Sequence, residues 1–368
     1  MKEKVLILFG GKSVESDISV ITALQVIRNL PKEYEYVFVY IDKAGKWWMA
    51  DNTTEAKTFE NFEKNAKNKK QVTFAIGENV LFVKKRNKFL PFEKISCVLN
   101  CCHGGAGEDG CLQGYLHACE LAQTSSLCAT SALCMDKCFM KDVFKANDIP
   151  SPKYCVLKKG QKNADDILQE LKLPLIVKPA NLGSSIGISV CHDKTEFDKA
   201  VDYAFSFDNK LLIEELVQNL REFNCACFEY KDKHFLSKVC EVKNQNEIYT
   251  FEDKYISKET KSNEADVHIA QDVKLLTEKI YKLFDCKGVV RVDFLLDEKS
   301  RTLYANEINT IPGSLAFYLF KDVKFSDLIA SVVEQAKITF KENSKLVKSY
   351  KSDAVKVFES VANLKAKK

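Results

Sequence analysis

The chain has 368 residues, 46% hydrophobic and 29% charged, ordinary for a soluble globular protein and enough for two or three domains with sizeable cores. A net charge of +4 is too small to argue for a nucleic-acid partner, and no stretch approaches the roughly 18 apolar residues of a membrane span. The fourteen cysteines come with no CxxC pair and no compact small-domain spacing, and Met1–Gly10 runs straight into a strand rather than a secretory leader, so they are expected to be reduced, mostly buried thiols of a cytoplasmic protein.

Strand and helix alternate over the first hundred residues. VLILFGG (Val5–Gly11) predicts a strand ending in glycines, and Asp17–Leu30 a helix with Ile18, Ile21, Leu24 and Ile27 about a turn apart. YVFVYID (Tyr36–Asp42) is the next strand, Asn52–Lys70 a polar, exposed connection, and SCVLNCCHGG (Ser96–Gly105) another apolar strand running into glycines. Such alternation predicts a parallel sheet flanked by helices, with ligands at the carboxyl ends of its strands, where Gly10–Glu15 and His103–Gly110 fall. Glu15, just before a helix, either caps it or serves a site. His103 is either structural or part of the same strand-end site.

A long helix is predicted over Met135–Asn147, ending before Pro150. Strands follow near Lys153–Leu157, Leu175–Lys178 and Ile186–Cys191, which makes the middle a small α+β unit, and Leu211–Val217 is a further apolar run. Arg221–Ala316 reads mostly as antiparallel strands with one helix near Val273–Phe284; a helix is predicted at Phe325–Lys337. The Lys-rich, amphipathic tail after Lys341 reads as a terminal helix or a frayed end.

The most informative segments are VVRVDFLL (Val289–Leu296) and TLYANEINT (Thr302–Thr310), joined by the short polar turn Asp297–Arg301 and so expected to pair antiparallel. Strand alternation puts Arg291 and Asp293 on one face of the first and Glu307 and Asn309 on one face of the second. Brought together, they make two carboxylates and an amide beside an arginine, hard oxygen ligands suited to Mg²⁺ held with substrate phosphates. Of the five arginines, only Arg291 is flanked by apolar strand residues, which suggests a buried, fixed role.

Other segments admit two readings each. KPANLGSSIG (Lys178–Gly187) is either a hairpin or a phosphate loop whose glycines turn backbone amides outward; Lys178, closing an apolar strand, either snorkels or holds an anion. It is not a Walker A loop, because GxxxxGK[ST] is absent. Glu214-Glu215-Leu216-Val217 is a charged edge turn or a strand end that meets an adenine, with Glu222 placed to accept from a ribose. Lys254-Tyr255, in the aromatic and charged stretch Ile248–Thr260, belongs to a surface hairpin or a closing lid.

Taken in order, these segments resemble the D-alanine–D-alanine ligases of the ATP-grasp superfamily. The resemblance covers about Val5–Leu319 and rests on GGKSVESDIS, HGGAGEDG, Met135-Asp136-Lys137, KPANLGSSIG, EELVQNLREF, EDKY, RVDF and NEINTIPG. Each is weak alone; eight in one order are specific. The resemblance implies an α/β and α+β chain with an ATP-grasp fold: an N-terminal Rossmann-like parallel-sheet domain over 1–128, a small ATP-grasp subdomain over 129–215, a C-terminal ATP-grasp subdomain over 216–345, and a tail over 346–368.

It also implies roles. Lys137 and Lys178 would contact ATP phosphates, with Ser184 and Ser185 in the phosphate loop. Glu214 and Leu216 would meet the adenine and Glu222 the ribose. Asp293, Glu307 and Asn309 would hold two Mg²⁺ ions, for which Mn²⁺ can substitute. Glu15 would hold the first D-alanine's ammonium, with His103 beside it. Glu15, Ser184 and Tyr255 would form a hydrogen-bonded triad to the lid, whose Lys254 reaches the transferred phosphate. Arg291 and the Gly313 amide would stabilise a tetrahedral intermediate. The implied partners are ATP and D-alanine, in a cytoplasmic homodimer without nucleic acid or membrane.

Three features depart from the family pattern. The lid begins IYTFEDKY, where many relatives are more aromatic, and the glycine loop carries Asn181-Leu182, where polar or charged residues are common. After Gly313 the chain reads SLAFYLF, so the serine expected at the second substrate's carboxylate falls on Tyr318. A tyrosine hydroxyl can make the same hydrogen bond, but its bulk changes the pocket. The alternatives therefore stay open: D-serine or D-lactate as second substrate, another carboxylate–amine ligase, or a non-catalytic ATP-binding protein.

Overall fold

The computed structural model describes residues 2–53, 55–160, 164–242 and 262–365. Strands β1 (Lys4–Gly10), β2 (Glu35–Ile41) and β3 (Trp47–Met49) begin the first sheet. A separate antiparallel hairpin sheet, β4 (Val72–Phe74), β5 (Val80–Lys85) and β6 (Lys88–Lys94), interrupts it before β7 (Cys97–Asn100) and β8 (Ala122–Gln123) complete the order β3-β2-β1-β7-β8. β1 pairs parallel with both β2 and β7, and β7 with β8; only β3 runs antiparallel. β1 is an unbroken apolar run because both its faces are covered. The segments after β1 and β7 leave the same end of the sheet, as expected for Gly10–Glu15 and His103–Gly110.

The second sheet is antiparallel and four-stranded: β9 (Tyr154–Lys158), β10 (Leu175–Pro179), β11 (Ser189–Cys191) and β12 (Lys210–Glu215), in the order β11-β10-β12-β9. The third contains β13 (Leu220–Tyr230), β14 (Lys233–Leu236), β15 (Cys240–Val242), β16 (Ser262–Glu264), β17 (Val290–Asp297) and β18 (Thr302–Asn309). β13 pairs with β17 along one edge and with β15 and β14 on the other; β18 closes the far side of β17. One face of this sheet packs on helix Val267–Leu283 through Phe223, Cys225, Val292 and Phe294. Helix Phe325–Ser344 shares a second core with the first sheet and β13, joining Val5, Ile7 and Phe9 to Phe228, Leu328 and Val332. Among the described residues no helix is long and apolar enough to cross a membrane. The cysteines are thiols, buried except for Cys111 and Cys128.

Two local expectations are corrected. The helix foreseen over Met135–Asn147 is two, Cys128–Met135 and Lys137–Ala146. Asp136 separates them: its backbone is extended (φ −83°, ψ 98°) and its carboxylate accepts from the amides of Cys138 and Phe139 as an N-cap. Asn52–Lys70 is not an exposed connection throughout. It contains the short helices Lys57–Glu60 and Phe62–Asn65, which bury Phe59 and Phe62 against the first sheet. Their rings lie 5.2 Å from Phe9 (Phe59) and 4.5 Å from Tyr40 (Phe62). Two phenylalanines thus anchor a segment whose polar composition hides them.

Phe62→Ala is therefore expected to destabilise the protein by about 3–5 kcal/mol, as for a core aromatic. Urea unfolding checks this; a change near zero would return the segment to the solvent.

Candidate active site

The third sheet brings the polar strand residues into one row. In register, Asn224 faces Asp293, Asp293 faces Glu307, and Arg291 faces Asn309. Directly opposed residues share a face, so the pairing expected from the two strands holds, and β13 adds Glu222 and Asn224. A bulge between Asp293 and Phe294 leaves Asn306 as an extra residue on β18, so Asn306 and Glu307 both reach the cleft. The opposite face is the apolar core.

Asp293 is only 3% exposed. Arg291 meets it with two parallel bonds, Nε to Oδ1 at 2.6 Å and Nη2 to Oδ2 at 2.8 Å. Asn309 Nδ2 donates to Oδ2 at 3.0 Å, and the Asn224 amide, turned nitrogen-inward, donates to Oδ1 at 3.2 Å. Burial alone would lower the Arg291 pKa, but the Asp293 carboxylate outweighs it and holds the guanidinium charged. Nη1 donates to the Tyr318 hydroxyl at 3.2 Å, which leaves that hydroxyl's own proton for a further acceptor.

A cavity of about 400 Å³ opens over this row. Its other walls carry Glu15, His103, Glu108, Lys137, Gly313 and Tyr318. A narrower pocket of about 90 Å³ adjoins it between the second and third sheets, lined by Lys178, Ser185, Glu214 and Leu216, with Ser184, Glu222 and Glu307 common to both. At its buried end the Glu214 carboxylate sits between Lys178 Nζ at 2.6 Å and Lys141 Nζ at 2.9 Å. Burial would raise its pKa, but the two lysines overcome that and hold it down at about 2. Lys178 also donates to Asn306 at 3.3 Å, so its ammonium is held inside by the Glu214 carboxylate and an amide rather than snorkelling to solvent. Lys137, first in its helix because Asp136 caps it, donates through Nζ to the Leu182 carbonyl at 2.7 Å.

At the opposite end the Ser184 hydroxyl donates to Glu15, tying the glycine loop to the segment after β1. Two glycines permit the approach. A Cβ on Gly104 (φ +65°) would lie 2.3 Å from Glu15 Oε2, and one on Gly183 2.8 Å from both carboxylate oxygens. Ser184 and Ser185 themselves lie at φ 54° and 59°, unusual for side chains with a Cβ and typical of functional loops. Tyr255 and Lys254 lie outside the described residues.

His103 is buried, with Nε2 2.9 Å from the Thr22 hydroxyl and Nδ1 4.0 Å from Glu108. Burial, aided by the Arg291 charge, pushes its pKa down to about 4, so the ring is neutral. Glu108 accepts from the Gly104 amide at 2.6 Å. Burial and the nearby Glu15 carboxylate push it up to about 8. Beyond Gly313 the chain makes a left-handed turn: Ser314, Leu315 and Ala316 have φ of 56°, 49° and 48°. Each residue so placed costs roughly 1–2 kcal/mol; burial of Leu315 and Ala316 in the shared core holds the turn.

The structure thus gathers every described residue singled out from sequence around two adjoining pockets. Thr22, Glu108, Lys141, Asn224 and Asn306 were not singled out. Lys141 had a signal, one helical turn after Lys137 on the same face, and Glu108 lies inside HGGAGEDG. Asn224, Asn306 and Thr22 depend on pairing partners, a bulge and a tertiary contact. Among the described residues no three His, Cys, Asp or Glu side chains form a group that could hold a metal ion; the set expected from sequence counts an amide, Asn309, as its third donor.

This arrangement of sheets, cleft and glycine loop is an ATP-grasp fold, the class of carboxylate–amine ligases. The model for the D-ala D-ala ligase N-terminus matches residues 4–126, and that for the C-terminus 143–334. The D-alanine–D-alanine ligase of Thermosipho melanesiensis is 35% identical, the match covering 91% of this chain and 94% of that protein. The solved D-alanine–D-alanine ligase of Coxiella burnetii superposes with a TM-score of 0.79 at 25% identity, over 98% of this chain and 99% of that one. VanG D-Ala:D-Ser ligase of Enterococcus faecalis superposes with a TM-score of 0.78 at 26% identity, over 91% and 100%. The chain belongs to the D-alanine–D-alanine ligase family.

Glu108 gives a pH prediction. Its folded pKa is raised, so its contribution to stability is full below the usual carboxylate value and is lost as pH rises to about 8. His103, lowered, has the opposite sign and acts only between about 4 and 6.5. Between pH 6.5 and 7.5 the ligand-free protein should therefore lose stability with a slope approaching one proton, and Glu108→Gln should flatten it. An unchanged slope in the variant, read from denaturant melts across that range, would remove Glu108 as the source.

Proposed function

We propose that the protein joins two D-alanines into D-alanyl-D-alanine with conversion of ATP to ADP and phosphate, supplying the dipeptide for peptidoglycan precursors in the cytoplasm. The observation that carries the reading is the continuity of the two pockets: oxygen donors for a metal stand between a lysine-lined cleft and a cavity walled by Glu15, His103 and Arg291.

In this reading the adenine lies along Glu214–Leu216, the ribose meets Glu222, and the phosphates lie between Lys137, Lys178 and the Ser184-Ser185 loop. Asp293 and Glu307, directly opposed, with the amide oxygen of Asn309, have the chemistry of a hard-cation site and would hold two Mg²⁺ ions, or Mn²⁺ in their place, Asp293 giving up its Asn224 bond to do so. When bound, Mg²⁺ supplies positive charge to the transferring phosphoryl group. The carboxylate of the first D-alanine, its ammonium held by Glu15 beside His103, attacks the γ-phosphorus, and the bond to the ADP oxygen breaks. The amine of the second D-alanine then attacks the acyl carbon, loses a proton, and phosphate leaves. Arg291, kept charged by Asp293, and the Gly313 amide stabilise the oxyanion. Because water would hydrolyse the acyl phosphate, the reaction requires a site closed to solvent while that intermediate lasts. As in its family, we expect a homodimer of these chains, to be read from its mass in solution.

A second reading keeps the chemistry and changes the second substrate. Tyr318, at the cavity mouth on Arg291, motivates it, and VanG, named for D-serine, shares the fold. Tyr318 has a hydroxyl proton to offer a carboxylate, so we assign it to the second amino acid in either case.

ADP release with Mg-ATP and D-alanine, alone or paired with D-serine or D-lactate, decides, with products identified by mass. D-alanine alone should yield the dipeptide. Turnover confined to a mixed pair would move the specificity, and silence with every pair would sink the ligase reading. Glu307→Gln, which keeps the shape, should lower turnover at least a hundredfold, an order of magnitude typical of losing charge stabilisation at a reacting centre. Near-normal turnover would remove Glu307 from the metal set.

A further inference from the structure

Thr22 lies in helix Ser16–Ile27, fully buried, and its hydroxyl has two partners on two different segments. His103 Nε2 is 2.9 Å away, on the loop after β7. The Ser314 amide donates to it at 3.0 Å, from the turn after β18. The first partner belongs to the wall beside Glu15. The second is the amide next after Gly313 and begins the three left-handed residues that lead to Tyr318.

The Ser314 N–H can only donate, so the threonine oxygen accepts there and keeps its own proton. His103 is neutral and has one N–H. Its Nε2 is the ring nitrogen within hydrogen-bond distance of that hydroxyl, and accepts from it when the ring proton sits on Nδ1. The wall of the first-substrate pocket and the loop of the second are therefore joined through one side chain that touches neither substrate.

We infer that Thr22 is a positioning residue for the ligation: its hydroxyl fixes the Gly313–Ser314 peptide and the His103 tautomer together, setting the distance between the two amino-acid pockets. The inference rests on the ligase reading above. It follows that losing the hydroxyl disturbs amino-acid saturation while leaving the ATP cleft, which Thr22 does not line, undisturbed.

The test compares variants that separate hydroxyl from packing. Thr22→Val keeps the shape and removes the hydroxyl; Thr22→Ser keeps the hydroxyl and removes a methyl. Thr22→Val should raise the D-alanine concentration for half-maximal ADP release about tenfold, the loss expected for a buried hydrogen-bonded bridge, with half-saturation by ATP unchanged. Thr22→Ser should stay near wild type. If Thr22→Val does not fold, Thr22→Ala against Thr22→Ser isolates the same hydroxyl. Imidazole ¹⁵N shifts give a readout without turnover: His103 should carry its proton on Nδ1 in wild type and in Thr22→Ser, and lose that preference in Thr22→Val. A serine variant as impaired as the valine one would mean packing, and overturns the inference. So would a loss in ATP saturation equal to that in D-alanine saturation, or a His103 proton on Nε2 in wild type. A wild-type protein silent with D-alanine fails earlier, at the ligase reading, and takes this inference with it.

Discussion

An ion moved from water into the middle of a sheet costs several kcal/mol unless a partner of opposite charge waits there with good geometry. Asp293 is such an ion, and Arg291, two residues earlier on the same strand face, is its partner. The rest of the site follows from that constraint. With both carboxylate oxygens engaged by Arg291, Asn309 and Asn224, the carboxylate is fixed in position and the guanidinium cannot swing away. Glu214 repeats the arrangement between Lys141 and Lys178 at the far end of the cleft. The exception is informative. Glu108, buried near Glu15 with no cation paired to it among the described residues and only Lys137 at a distance, takes the other way out and keeps its proton to about pH 8.

The pockets lie where three sheets meet, and a side-chain hydrogen bond crosses each seam. Ser184 to Glu15 joins the second sheet to the first, Lys178 to Asn306 the second to the third, and Thr22 to Ser314 the first to the third. The first and third use short side chains or a backbone amide, so those distances are tightly set. Glycines at 104 and 183 matter because a single Cβ would push the Glu15 carboxylate out of reach of the serine loop.

Much of this was legible in the chain. VRVDFLL and ANEIN announce their polar face because strand alternation has a period of two, and a carboxylate among valines and phenylalanines has no bland explanation. The strand-end loops followed from the alternation of strand and helix. What was hidden has specific physical causes. The bulge at Asn306 adds one residue without changing composition, so neither it nor the double reach of Asn306 and Glu307 could be read. Phe59 and Phe62 sit in a polar stretch whose helices are single turns, too short for a periodic pattern. Asp136 was hidden by its setting inside an apparently continuous helical pattern, although an aspartate followed by a lysine and a helix is what an N-cap looks like. Thr22 looks like any helical threonine until the loop from residue 314 folds back on it.

The turn after Gly313 carries the longest run of left-handed residues with side chains among the described residues. Three consecutive left-handed residues with side chains persist only when their surroundings over-determine them. Here Leu315 and Ala316 are buried in the core shared by the first sheet and helix Phe325–Ser344, and Ser314 is bonded to Thr22. The turn in turn places Tyr318 half-exposed at the cavity mouth, against Arg291. A tyrosine hydroxyl lies well away from its own backbone, so its position depends on how firmly that backbone is held; the left-handed turn and its bond to Thr22 together set where the Tyr318 hydroxyl meets Arg291.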